Sequence, residues 1–277
     1  MRRIVFAVLI VAATALAWWP ALQAEGNATV ESAFKRALVT WALARGLNGV
    51  ISVAQGTEVA IQPAGVGVNF APGEILDPVN DLVERFSWIM MLATSSLGVQ
   101  QILLAMSAWH GLLLALTIAA GVAIAARWLT KNPRLVEVCS RLFLFLLLLR
   151  FMMPAIALSN QWLYDTFLEP NYQQASGELS SAQQQISELN ETARGERGAD
   201  DEEDLTALQK ARELVRQIGN SVSIEKRMEE YTTAAERISE NTVRLIVVFV
   251  MQTVVFPLVF LFIVIGVLKR VMNVRRL

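Results

Sequence analysis

"SWIMMLATSSLGVQQILLAM", residues 87–106, carries no charge over twenty residues. That is the length at which an apolar helix can cross a bilayer. Whether it crosses decides the fold, because each added crossing inverts everything downstream. Ser95, Ser96, Gln100 and Gln101 suit the polar face of an amphipathic helix lying along or against the membrane, or hydrogen bonds between helices. The surrounding charge supports that reading, since positive residues near span ends favour the cytoplasmic side. The basic clusters are Arg2-Arg3, "RWLTKNPR" (127–134) and the tail from Lys269 to Arg276. With spans at 4–19, 103–127, 142–158 and 243–268, all three fall on one side. A further span at 87–106 would export the last two. The expectation is a membrane-associated helix at 87–106, then a transmembrane hairpin over 107–158 with its short cytoplasmic loop at 127–134.

The composition agrees with blocks of membrane helix. Of 277 residues, 54% are hydrophobic and 18% charged, where a soluble domain carries about a quarter charged. The formal net charge of −1 gives no reason to expect nucleic acid as a partner. One cysteine, Cys139, and one histidine, His110, exclude an intrachain disulfide and most Cys/His metal or nucleophile sets.

Residues 1–24 read either as a signal anchor or as a cleaved signal peptide. Arg2-Arg3 precede an apolar run, Pro20 breaks it, and Ala24 is a small residue at a cleavage position. Both readings place Glu25 outside the cytoplasm and leave three or four transmembrane helices.

Residues 25–86 read as a small α/β extracytoplasmic domain. Val30, Phe34, Ala37, Leu38 and Trp41 share a helix face that Gly46 or Gly49 would end. The stretch 50–76 alternates, is rich in valine and suggests a small hairpin of short strands. Asp77 and Pro78 then resemble the N-cap and first residue of a helix.

Residues 159–242 are polar and helical. Leu179, Ala182, Ile186 and Leu189 form one seam, and a charged loop follows at 193–204. Leu205, Leu208, Leu214, Val215 and Ile218 form a second helix, with a break expected at Gly219-Asn220. Ile224, Met228, Tyr231, Ala235, Ile238, Thr242 and Leu245 alternate steps of four and three, the period of a coiled coil. That stripe enters the last span, 243–268, without Gly or Pro before Phe256. A coiled-coil-like stalk continuous with the last span is expected. Ile224, Met228, Tyr231, Ala235 and Ile238 are its candidate assembly residues, with packing inside one chain the other possibility.

No motif for phosphate cradling, metal hydrolysis, nucleophilic catalysis or dinucleotide binding is present. The glycine-rich 65–73 lacks the strand–helix setting of a phosphate loop. Glu74, Asp77, Asp81 and Glu84 could pair for acid–base or cation chemistry, but their place near a helix start suits them to its dipole. No catalytic, cofactor or metal site is expected. The candidate intramembrane polar residues are Gln100, Gln101, His110, Arg150, Gln252 and Thr253. Arg150 stands in "FLFLLLLRFMMPAIAL" (143–158), four residues before Pro154. It reads first as an anchor snorkelling to the outer headgroups, and otherwise as an ion, lipid or substrate contact.

These observations make the chain a mainly α, bacterial-type inner-membrane protein with a cytoplasmic basic tail at 269–277. Residues 25–102 and 159–242 would be extracytoplasmic. The expected function is a non-enzymatic scaffold or regulatory subunit whose partners are the lipid bilayer and further copies or another membrane protein. The alternative is a subunit of an oligomeric channel or transport complex.

Overall fold

The computed structural model describes residues 2–56, 59–61, 68–70, 72–197 and 207–274. The order is α1 (Arg2–Ala17), α2 (Pro20–Gln55), β1 (Val59–Ile61), β2 (Val68–Phe70), α3 (Pro72–Ser107), α4 (His110–Leu129), α5 (Pro133–Leu163), α6 (Glu169–Arg197), α7 (Ala207–Val250) and α8 (Phe256–Val274). π-helical turns, Tyr164–Leu168 and Met251–Val255, join α5 to α6 and α7 to α8. The described chain is thus almost wholly helical. β1 and β2 pair antiparallel with Val59 opposite Phe70, but three-residue strands make no α/β domain. The expected domain at 25–86 is two long helices joined at their tips.

Among the described residues five helices are long and apolar enough to cross a membrane: Pro20–Gln55, Gly73–Ser107, His110–Leu129, Pro133–Thr192 and Lys226–Gly266. By length and composition these are candidate spans, and they mark a multi-pass membrane protein. The stretch 87–106 falls within one of them. Residues 87–106 are no separate surface helix but the second half of the 36-residue α3. Met90, Ala93, Leu97 and Leu104 are buried, while Trp88, Met91, Leu92, Val99, Ile102, Leu103 and Met106 are exposed. A helix apolar on both faces suits a core or a membrane rather than an interface. Ser95 is exposed, and Ser96, Gln100 and Gln101 are half-buried, so they form no polar face.

The expected helix start at Asp77-Pro78 also moves. α3 begins at Pro72, Pro78 lies inside it, and Asp77 accepts a hydrogen bond from Gln55 Nε2 at 2.7 Å. Likewise α7 runs unbroken through Gly219-Asn220, because one glycine costs a helix only about 1 kcal/mol. The loop expected at 193–204 starts later, because residues 193–197 continue α6. Its remainder 198–204, residues 65–67 and 71 of the glycine-rich stretch, Leu205 and the tail beyond Val274 lie outside the described residues.

The chain divides into two compact units. Unit 1 is Met1–Arg36, Ala93–Phe167 and Met251–Leu277, and unit 2 is Ala37–Leu92 and Leu168–Val250.

In unit 2 the buried residues of α7 are Tyr231, Ala234, Ala235, Ile238, Asn241, Thr242, Leu245, Val248 and Phe249. Opposing them on α6 are Tyr172, Ala175, Leu179, Ala182 and Ile186. These steps of three and four are those of helices packing nearly side by side. α2 adds Ala37, Thr40, Ala44, Leu47, Ile51 and Ala54, and α3 adds Leu76, Val79, Val83, Phe86 and Met90. On α2 small and large residues share the buried face, and Leu38 and Val39 lie outside it. A Cβ at Gly46 would come within 2.8 Å of Gln183 Nε2, the movable end of a side chain on α6.

Polar links fix the register of unit 2. Tyr231 OH donates to Asn190 Oδ1 at 3.1 Å, and Asn190 Nδ2 donates to the carbonyl of Val50 at 3.0 Å. The stripe expected to join subunits is therefore used inside the chain. Tyr231, Ala235 and Ile238 are buried against the chain's own helices, Met228 is 44% exposed, and the side chain of Ile224 lies outside the described ones.

Unit 1 is organised along α5. Below Arg150, α5 packs with α1 and α4 through Phe143, Ile10, Ala17, Leu113, Leu116, Ala120 and Ala123. Above it, Met153 and Ala157 pack with Val30 of α2 and Leu104 of α3. Gly26 lies in this layer, where a Cβ would make ordinary contact with Leu104 at 3.4 Å and with the Pro154 backbone at 3.9 Å.

Candidate functional site

Two helix breaks meet α5 between those layers. α1 ends at Ala17 and α2 begins at Pro20, whose missing N–H is no loss at a first position. α3 ends at Ser107 and α4 begins at His110. Such ends leave carbonyls without intrahelical donors, and burial makes each of them costly.

Arg150 meets that need. It is 2% exposed. Its Nε donates to the Ala17 carbonyl at 3.0 Å and its Nη1 to Gln23 Oε1 at 3.3 Å. Gln23 Nε2 passes the link on, donating to the Leu104 carbonyl at 3.2 Å and to Asn27 Oδ1 at 3.1 Å. Ser107 Oγ donates to the same Leu104 carbonyl at 2.7 Å. A cation beside helix C-termini also complements their dipoles. The expected headgroup anchor is corrected: Arg150 is buried and caps the broken end of α1. The carbonyl that Pro154 frees is not among its partners.

A second polar group lies further along α5. Asn160 Nδ2 donates to the Gln252 carbonyl at 3.0 Å, inside the π-helical turn Met251–Val255. Both π-helical turns end two residues before a proline, Pro170 and Pro257. Proline removes a donor and clashes with the carbonyl four residues back, and a wide turn absorbs both effects. Thr29, Gln100, Asn160, Gln161 and Gln252 line a cavity of about 10 Å³, room for a single water-sized species. Asn160 Oδ1, Gln161 Oε1 and Gln252 Oε1 are buried and find no donor among the described residues.

The sequence candidates thus separate. Gln100 and Gln252 come together at this cavity, and Arg150 joins Gln23 at the breaks. His110 is apart from both, with its ring edge-on to Trp18 at 6.4 Å, and Trp18 Nε1 donates to Thr117 at 3.1 Å. Gln101 does not line the cavity, and Thr253 is buried beside Gln252 without lining it. Gln23, Asn160 and Gln161 are the residues sequence reasoning missed. Their one signal is a polar residue just past a long apolar run, in "PALQ" (20–23) and "ALSNQ" (157–161).

Among the described residues no cluster of His, Cys, Asp or Glu could hold a metal. Glu74, Asp77, Asp81 and Glu84 are all exposed, and Asp81 faces Arg85 at 4.0 Å. Comparison with protein-family models, with characterised proteins and with solved structures yields no match to this chain. The site must therefore speak through its own chemistry. It offers neutral amides and one capped arginine, and no nucleophile with a base.

Proposed function

We propose that this chain is a non-enzymatic inner-membrane scaffold or regulatory subunit that assembles with further copies of itself. The carrying observation is a mismatch of length inside unit 1. α5 has 31 residues, about 46 Å at 1.5 Å per residue. A bilayer offers about 30 Å of hydrocarbon, and a typical 20° tilt shortens the helix only to about 43 Å. Yet apolar side chains are exposed along both layers: Val8, Leu114, Ile118 and Phe145 below Arg150, and Val99, Ile102, Leu103 and Met106 above it.

On this reading the bilayer covers the α1–α4 layer, whose helices of 16 and 20 residues span about 24 and 30 Å. Arg3 and the loop from Arg127 to Pro133 border one cavity, which supports placing both on the cytoplasmic side. The C-terminal tail would be cytoplasmic too, and 25–102 and 159–242 extracytoplasmic. Residues 1–24 act as a retained anchor, because Ala17 and Gln23 are partners of Arg150. The outer face of α3 then stands beyond the hydrocarbon, and a second copy covers it.

The test is mass measurement in mild detergent, with cross-linking through a single cysteine at Ile102 in a Cys139→Ala background. A multimer that cross-links at 102 and dissociates on Ile102→Glu is expected. A monomeric mass with no cross-link would sink the reading.

The cavity at Gln100, Asn160, Gln161 and Gln252 favours a second reading, a channel or transport component. Small polar groups deep among apolar helices commonly mark ion paths. Equal, negligible ion flux from liposomes carrying wild type or Gln252→Leu would count against it.

A further inference from the structure

The end of unit 1 formed by the start of α1, the α4–α5 connection and the start of α5 holds an open cavity of about 830 Å³. Its cations are Arg3, Arg127 and Lys131, and its one acid is Glu137. Glu137 is engaged by Arg141 one turn along α5, so the positive charges are not neutralised from within. Arg127 is held with its guanidinium 5.4 Å above the Phe6 ring, and its Nε is buried with no acceptor among the described residues. Asn132 caps α5 by accepting from the Arg134 N–H at 3.0 Å, which turns the positive end of that helix toward the same space. Trp128 and Leu129 on the rim are exposed, as residues that meet lipid would be.

We propose that this cavity binds a phosphate-bearing anion at the membrane–water boundary, with the headgroup of an acidic phospholipid as the source the geometry favours. A guanidinium fork matches phosphate oxygens two at a time, and a nearby lysine adds a point charge. The volume lies in the range of ordinary ligand pockets. Basic residues that only set topology would point freely into water. They would need neither a cavity nor an arginine fixed on an aromatic ring with a buried N–H unspent. The site requires that α1, α4 and α5 meet the bilayer, and it is independent of whether the chain self-assembles.

The test uses the full-length protein in detergent. Phosphatidylglycerol or phosphatidylcholine is added, and retained lipid is read by native mass spectrometry, with and without inorganic phosphate. Phosphatidylglycerol should be retained over phosphatidylcholine, and each of Arg127→Gln and Lys131→Gln should lower that preference roughly fivefold. Arg127→Lys should fall between wild type and Arg127→Gln. Lys131 is exposed, so its variant tests charge without disturbing the fold. If inorganic phosphate alone displaces phosphatidylglycerol and raises the melting temperature, the anion site stands and its source is soluble. Equal retention of the two lipids, or wild-type preference in both glutamine variants, overturns the proposal.

Discussion

Arg150→Met removes the cap on α1 while keeping an unbranched side chain of similar length. The Ala17 carbonyl at 3.0 Å and Gln23 Oε1 at 3.3 Å both lose their donor. An orphaned buried acceptor costs about 1–3 kcal/mol. Ala17 is fully buried at the break, whereas Gln23 is half-buried, so its Oε1 can turn to water and contributes the smaller share. Relief of burying a cation works in the opposite direction, but it is incomplete because the neutral acceptors stay behind. The balance is a loss of about 2–4 kcal/mol for Arg150→Met, and about 1–2 for Arg150→Lys, which keeps the charge without the fork. The assay is helix loss on titration with a denaturing detergent, run as a double-mutant cycle with Gln23→Leu. A coupling of about 1 kcal/mol or more is expected for residues in one hydrogen-bond network. A headgroup anchor gives a different result: Arg150→Lys neutral and no coupling to Gln23. Stability unchanged in Arg150→Met, or zero coupling, refutes the cap.

Ile238→Ala empties a fully buried position in unit 2 and should destabilise it by about 2–5 kcal/mol. Hydrogen exchange should speed up in α6 and α7 while the mass in mild detergent stays the same, whereas an intersubunit stripe would lose the multimer first. Tyr231→Phe removes the hydroxyl bonded to Asn190 and should cost about 1 kcal/mol, read from the same exchange profile. N-terminal sequencing of the protein from membranes should begin before Pro20, and a start at Glu25 would refute the retained anchor.

Period and apolar length made much of this fold legible. The α7 stripe was readable because Tyr231 and Ile238 are large and stand in polar sequence. Its partner was not, since an apolar stripe reports that something covers it and not whose helix does. On α2 Leu38 misled: the buried face runs through Ala37, Thr40, Ala44, Leu47 and Ile51 and leaves Leu38 and Val39 outside. The 87–106 segment was ambiguous for a physical reason, because six uncharged polar residues cannot outweigh an apolar surface all the way round. The partners of Arg150 were hidden because one is a main-chain carbonyl, free only where a helix breaks, and the other is a glutamine 127 residues away. The Asn160–Gln252 link was hidden twice over, by a separation of 92 residues and by a π-helical turn.

Those wide turns bear on how this chain tolerates change in length. Each adds roughly one residue to the local helical ring, and each falls where the chain passes between its two units, at 167/168 and 250/251. Deleting one residue within Met251–Val255 can collapse the wide turn to an ordinary one, leaving the helix faces on either side in place. The same deletion near Ile238 would rotate everything on one side by about 100° and turn a buried stripe outward. A one-residue change in length is therefore absorbed at a wide turn and not within the packed stripe.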